Sequence, residues 1–225
     1  MLKPAAVIIL LGGFLALQRN SPEREVARNV ITSRHDPQIR IELPKSVQYV
    51  GADRWVLYDI ADCELHAFVE ADPPNNIQRL YWVQFEGYLP SKPDMAHQYD
   101  SPRHQRIGGL DFYVDTWVRQ KDAETRHGSD REHIEALIRA KGYNMPQGMM
   151  YVRLVHLPDR QKRKELMIVY GEDVADTGFA VADLSEQGKA FGRWPDIEKN
   201  LIKRAVKRIS LQQPAQQPQH FDREP

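Results

Sequence analysis

Polar and apolar positions alternate through much of the middle of this chain. The pattern is clearest on either side of Asp72–Asn76. From Asp62 to Ala71, Cys63, Leu65, Ala67 and Val69 fall on one side of an extended strand, and Glu64, His66, Phe68 and Glu70 on the other. Asp72-Pro73-Pro74-Asn75-Asn76 then interrupts the run. Two prolines cannot continue a hydrogen-bonded ladder, and asparagine tolerates the left-handed backbone that a tight reversal needs. Ile77–Leu89, the most aromatic run in the chain, follows at once. The pattern predicts one long antiparallel hairpin over Asp62–Leu89.

The same alternation predicts the other strands. Ile39, Ile41 and Leu43 mark one, ended by Pro44. Val47–Val50 and Arg54–Asp59 are two short candidates with a turn at Gly51-Ala52-Asp53. Pro90–Gly109 is rich in Pro, His, Asp and Ser and predicts a long loop, with a turn at Gly108-Gly109. Leu110–Val118 alternates again, and Met149–Leu157 and Lys164–Gly171 form a second hairpin across a polar turn.

Two helices have period 3.6. Gly128-Ser129-Asp130-Arg131-Glu132 has the form of a capped start, with Ile134, Leu137 and Ile138 as the apolar stripe and Gly142 as the stop. Pro195 suits the first turn of the last helix, whose stripe is Ile197, Leu201, Ala205 and Ile209. Lys203, Arg204, Lys207 and Arg208 favour its carboxyl end. Hairpins dominate and no strand–helix–strand alternation runs through the chain. The expected fold class is therefore α+β: an antiparallel β-sheet built from hairpins, with two amphipathic helices packed on one face.

Register decides which residues share a face. If Asp72 pairs with Asn76 and the ladder runs on unbroken, Cys63, Leu65, Ala67 and Val69 face Phe85, Val83, Tyr81 and Arg79. That gives one nearly continuous apolar side. A slip of one residue mixes the faces but pairs Glu70 with Arg79. The first register is preferred because it segregates the apolar residues. The other face then carries Glu64, His66, Trp82, Gln84 and Glu86, joined by Asp111, Asp115 and Trp117 of the later strand. Flat rings to stack on and acceptors to orient a ligand make these eight the candidate ligand-binding residues. Close carboxylates could also divide into acid and base. The plainer expectation for such a face is that water covers it.

Composition narrows the function classes. The 225 residues are 41% hydrophobic, enough for one sizeable core. Lys plus Arg and Asp plus Glu number 31 each, so charge gives no reason to expect a nucleic-acid partner. With Cys63 as the one cysteine there is no disulfide within the chain and no cysteine cluster, and Cys63 reads as a small core residue. No histidine has the helical spacing of a zinc site. The nucleophile elbow, the phosphate loop and the dinucleotide fingerprint are all missing. No metal or cofactor is expected, and no catalytic residue can be named.

The organisation expected is a targeting segment over 1–20, a partly helical tether over 21–37, one domain over 38–211, and a disordered Gln/Pro-rich tail over 212–225. Ala5–Leu17 is an uncharged apolar run that suits a signal peptide or membrane anchor. Arg19, Arg24, Arg28 and Arg34 after it oppose export under the positive-inside rule. The expected location is exported across, or anchored in, the cytoplasmic membrane. The expected function is non-enzymatic binding of a small ligand or a protein partner through the aromatic and polar face. The alternatives are a hydrolase using paired carboxylates among Glu64, Glu86, Asp111 and Asp115, and a structural or assembly protein at the membrane.

Overall fold

The computed structural model describes residues 21–213. The segment over 1–20, expected to be a targeting sequence, and nearly all of the Gln/Pro-rich tail lie outside the described residues. The described strands are β1 (Glu25–Ala27), β2 (Val30–Ser33), β3 (Ile39–Glu42), β4 (Gln48–Leu57), β5 (Ala61–Asp72), β6 (Asn76–Tyr88), β7 (Arg103–Ile107), β8 (Leu110–Gln120), β9 (Gly148–His156), β10 (Lys164–Asp173) and β11 (Ser210–Gln212). The α-helices are α1 (Asp130–Ala140), α2 (Val181–Leu184) and α3 (Trp194–Arg208). A seven-stranded sheet has the order β4-β5-β6-β10-β9-β8-β7, and a four-stranded sheet the order β1-β2-β3-β11. Every pairing in both is antiparallel.

The fold is α+β, as the hairpin order implied. The large sheet is its middle layer. On its first face Phe68, Tyr81, Val83, Phe85 and Ile168 pack with Ile31 and Ile41 of the small sheet and with Leu201 and Ala205 of α3. On its second face Leu65, Ala67, Leu80, Trp82 and Val169 pack with Ile134 and Ile138 of α1. The two helices therefore take opposite faces, where the sequence reading put both on one. A helical stripe dictates that apolar surface be covered, but not which side of a sheet supplies it. Both faces here are apolar enough to need a cover, so neither is left to water.

Three local readings change in the same way. Residues 21–37 were expected to form a tether, yet β1 and β2 lie there, with Ile31 fully buried. Three- and four-residue strands are too short to show a period, and the pairing of β1 with β2 and of β2 with β3 fixes them. Gly51-Ala52-Asp53 is no turn: β4 runs straight through it with a bulge beside Gly51, which has φ +150°. Leu137 of α1 would come within 3.2 Å of a Cβ at Gly51, so the bulge is where the helix sits down on the sheet. Part of the expected loop 90–109 forms β7, folded back on β8 through Gly108 and Gly109 at φ +57° and +85°. The cap of α1 is as expected at Ser129, which accepts from Glu132 N; the Glu132 carboxylate returns to Gly128 N instead of Ser129 N.

The β5–β6 register is the correction with the most consequence. Asp72 does pair with Asn76, and Ala71 with Ile77, but a bulge between Glu70 and Ala71 then shifts the ladder by one. From there Glu70 faces Arg79, Phe68 faces Tyr81, and Cys63 faces Glu86. The shift is rewarded on the first face, where the Glu70 carboxylate meets Arg79 at 2.9 Å, Arg208 at 2.9 Å and the Tyr81 hydroxyl at 3.2 Å.

Candidate functional site

One row of residues crosses the second face near the open end of the long hairpin. Strand pairing sets Trp55, Cys63, Glu86 and Glu165 side by side on β4, β5, β6 and β10. Asp130, the first residue of α1, comes down onto this row. The Cys63 thiol and carboxylate oxygens of Glu86 and Asp130 all lie within 4.8 Å of one another. From the 90–109 segment, the Tyr99 hydroxyl donates to the Glu165 carboxyl, and His97 Nδ1 lies 3.1 Å from it. A relay leads in from deeper in the sheet: Trp82 Nε1 donates to Gln84 Oε1 (3.0 Å), and Gln84 Nε2 donates to Glu86 Oε2 (3.2 Å). Beside it, Trp55 stacks on His133 at 4.0 Å, and His133 Nδ1 lies 2.7 Å from Asp53.

Carboxyls facing each other across strands repel when ionised. Burial pushes Glu86 up to about 7, with the Asp130 charge adding to it. Burial pushes Glu165 up to about 8, with the Glu86 charge adding to it. Asp130 is also raised by burial, and so is the Cys63 thiol, with Glu86 and Asp130 adding to the rise. Burial lowers His97 to about 4, so the His97–Glu165 contact joins two neutral groups at neutral pH. Three buried polar atoms around the row, Asp130 Oδ1, Trp55 Nε1 and His97 Nε2, have no hydrogen-bond partner among the described residues. Glu86 also lines a cleft of about 240 Å³. The other charged groups of that cleft are engaged with one another, Arg54 with Asp62 and Glu23 and Lys164 with Asp36.

No family model, no curated protein and no solved structure matches this chain. The site must therefore be read from its own chemistry.

Of the eight residues singled out in the sequence, Trp82, Gln84 and Glu86 belong to this centre. Asp115 and Trp117 share its face three strands away, about 14 Å at ordinary strand spacing. Asp115 is held by Arg153 at 2.7 Å and Ser101 at 2.7 Å, and Trp117 stacks on Tyr151. Asp111 is exposed, 3.8 Å from Arg106. The shifted register moves Glu64 and His66 to the first face. There Glu64 accepts from the backbone N–H groups of Glu23 and Arg24 (2.8 Å each), from Arg24 Nη1 (3.1 Å) and from His66 Nε2 (2.8 Å). Burial alone would raise Glu64, but the His66 and backbone hydrogen bonds and the Arg24 charge overcome it and bring the group down to about 2. This carboxylate clamps the start of the described chain to the large sheet.

Glu165, Asp130, Tyr99 and His97 were not foreseen. Glu165 did leave a signal, a carboxylate next to the apolar run Leu166–Tyr170. Asp130 read simply as part of a capped helix start. No spacing rule could find the cluster, because its members come from β5, β6, β10, α1 and a loop.

Proposed function

We propose that this chain is an exported or membrane-anchored binding domain whose ligand is a small divalent cation held at Cys63, Glu86 and Asp130, with Glu165 beside them. The convergence of one thiol and three carboxyls under α1 carries the reading. Packed together and buried, the carboxyls hold their protons above the ordinary carboxyl range, because burial outweighs the nearby charges of Arg153 and His133. A cation would neutralise them and make the thiol a thiolate. A sulfur donor with carboxylate oxygens suits a zinc-like ion better than calcium or magnesium, which prefer oxygen alone. Gln84, anchored by Trp82, would orient Glu86 from behind, as outer partners of metal ligands do.

The test is calorimetric titration of the chelator-stripped chain with Zn²⁺, Mn²⁺ and Ca²⁺ in two buffers of different ionisation enthalpy. Saturable Zn²⁺ binding with proton release, tightening as pH rises and lost in Asp130→Asn, supports the reading. Binding that is absent, or unchanged in both Asp130→Asn and Cys63→Ala, ends it. The membrane placement rests on the Ala5–Leu17 run. Fractionation of cells with protease protection tests it, and a freely cytoplasmic chain would refute it.

The alternative is a hydrolase. The observation favouring it is that Glu86 and Glu165 titrate near 7 and 8, in the working range of a general acid and base. The quartet first considered, Glu64, Glu86, Asp111 and Asp115, is dispersed over two faces and several strands, so this pair replaces it. Turnover of a chromogenic ester, glycoside or phosphate that disappears in both Glu86→Gln and Glu165→Gln would favour this alternative over simple binding.

A further inference from the structure

We propose a second ligand site on the first face of the large sheet, in the hollow between β10, the Val174–Thr177 turn and α3, for a phosphate-bearing anion. The hollow has a volume of about 370 Å³, at the small end of ligand pockets. Arg79 of β6, Arg193 and Arg204 converge on it, with Asn200 and Thr177 in the wall.

The carboxylates nearby do not use up this positive charge. Glu172 is engaged by Arg204 at 2.7 and 2.8 Å and by the Tyr170 hydroxyl. Glu70 is shared between Arg79 and Arg208, each at 2.9 Å. Two buried or half-buried carboxylates thus serve three guanidiniums. Arg193 has no side-chain partner among the described residues, and the remaining carboxylate of the hollow, Asp176, is exposed on the rim. Arg79 places one N–H, at Nε, in a buried position without an acceptor. A buried donor of a charged group is costly unless an acceptor reaches it. Guanidinium forks match phosphate oxygens two at a time; an uncharged acceptor would make weaker hydrogen bonds with them, and a cation would be repelled. The basic residues of α3 extend the same field toward its carboxyl end. The site lies across the sheet from Cys63 and Glu86 and does not depend on the cation reading.

The test uses the full chain. Inorganic pyrophosphate is titrated at constant ionic strength, with calorimetry as the readout. Vesicles of phosphatidylcholine, with and without phosphatidic acid, form a second arm read by co-sedimentation. Arg193→Ala is the probe variant, since its exposed side chain supports nothing in the fold; an unchanged melting temperature verifies this. Saturable pyrophosphate binding that weakens about tenfold in Arg193→Ala supports the site and identifies a soluble phosphate ligand. Phosphatidic-acid-dependent sedimentation that Arg193→Ala reduces supports the site and identifies a lipid headgroup. The proposal is overturned if neither arm shows an Arg193-dependent signal, or if sulfate and chloride displace pyrophosphate equally well.

Discussion

Raising the pH through neutrality should destabilise this protein, and Glu165→Gln should largely abolish the effect. In the folded chain Glu165 keeps its proton up to about 8 and Glu86 up to about 7, against an ordinary 4.5. Between the ordinary and the folded value the folded chain holds protons that the unfolded chain has released, so stability falls as pH rises. His97 works in the opposite direction, but only below its ordinary 6.5: burial holds it to about 4, so its contribution rises with pH up to 6.5 and is flat above. From 6.5 upward the two carboxyls carry most of the change, and the buried Cys63 thiol adds to it in the same direction only as pH nears its ordinary 9. Together they cover about two pH units at ~1.4 kcal/mol each, a loss of ~3 kcal/mol by about pH 8.5. That is a large part of a typical domain stability of ~5–15 kcal/mol. Glu165→Gln leaves an amide oxygen to accept from Tyr99 and removes the titrating group, so its loss should be under ~1 kcal/mol. Urea unfolding in the presence of chelator, followed by tryptophan fluorescence at the two pH values, measures both. Wild-type stability that stays flat or rises over this window, or a variant that keeps the wild-type drop, refutes the reasoning.

Four further outcomes are expected. Glu64→Ala strands His66, Arg24 and two backbone N–H groups and should cost ~3–5 kcal/mol in thermal or urea unfolding, and a loss below ~1 kcal/mol would show that the clamp is not needed. Because Glu64 titrates at about 2 when folded, its contribution should fade as pH drops from 4.5 to 2, and Glu64→Gln should flatten that limb. Gly108→Ala sets a Cβ 2.4 Å from the Leu211 carbonyl oxygen at φ +57°, whereas Gly109→Ala meets open space; the first should lose ~1–3 kcal/mol more than the second in denaturant titrations, and equal losses would contradict the contact. A double-mutant cycle on Glu70 and Arg79 should return a coupling of ~1 kcal/mol, and zero coupling would contradict the bulged register.

Local pattern in the sequence placed the long strands and the two long helices, and missed the short strands β1, β2 and β7. Alternation located the long hairpin and its Asp72–Asn76 reversal, Ser129 and Gly142 bounded α1, and Pro195 and the Leu201/Ala205 stripe placed α3. These are signals carried by neighbours in the chain. The tertiary structure decided which side chains meet. One extra residue, Gln78 opposite the Glu70–Ala71 step, exchanged the partners of every residue from Cys63 to Glu70, because side chains alternate with period two and a one-residue slip turns a strand over. That slip took Glu64 and His66 away from the candidate site and put Cys63 opposite Glu86. Glu165, Asp130, Tyr99 and His97 then joined from distant parts of the chain, brought there by strand order and helix docking. Local pattern fixes period, and the sum of long-range contacts fixes register. The centre on Ile77–Leu89 is therefore a product of packing: its aromatic run is visible in the sequence, while the carboxyl cluster at Glu86 exists only in the fold.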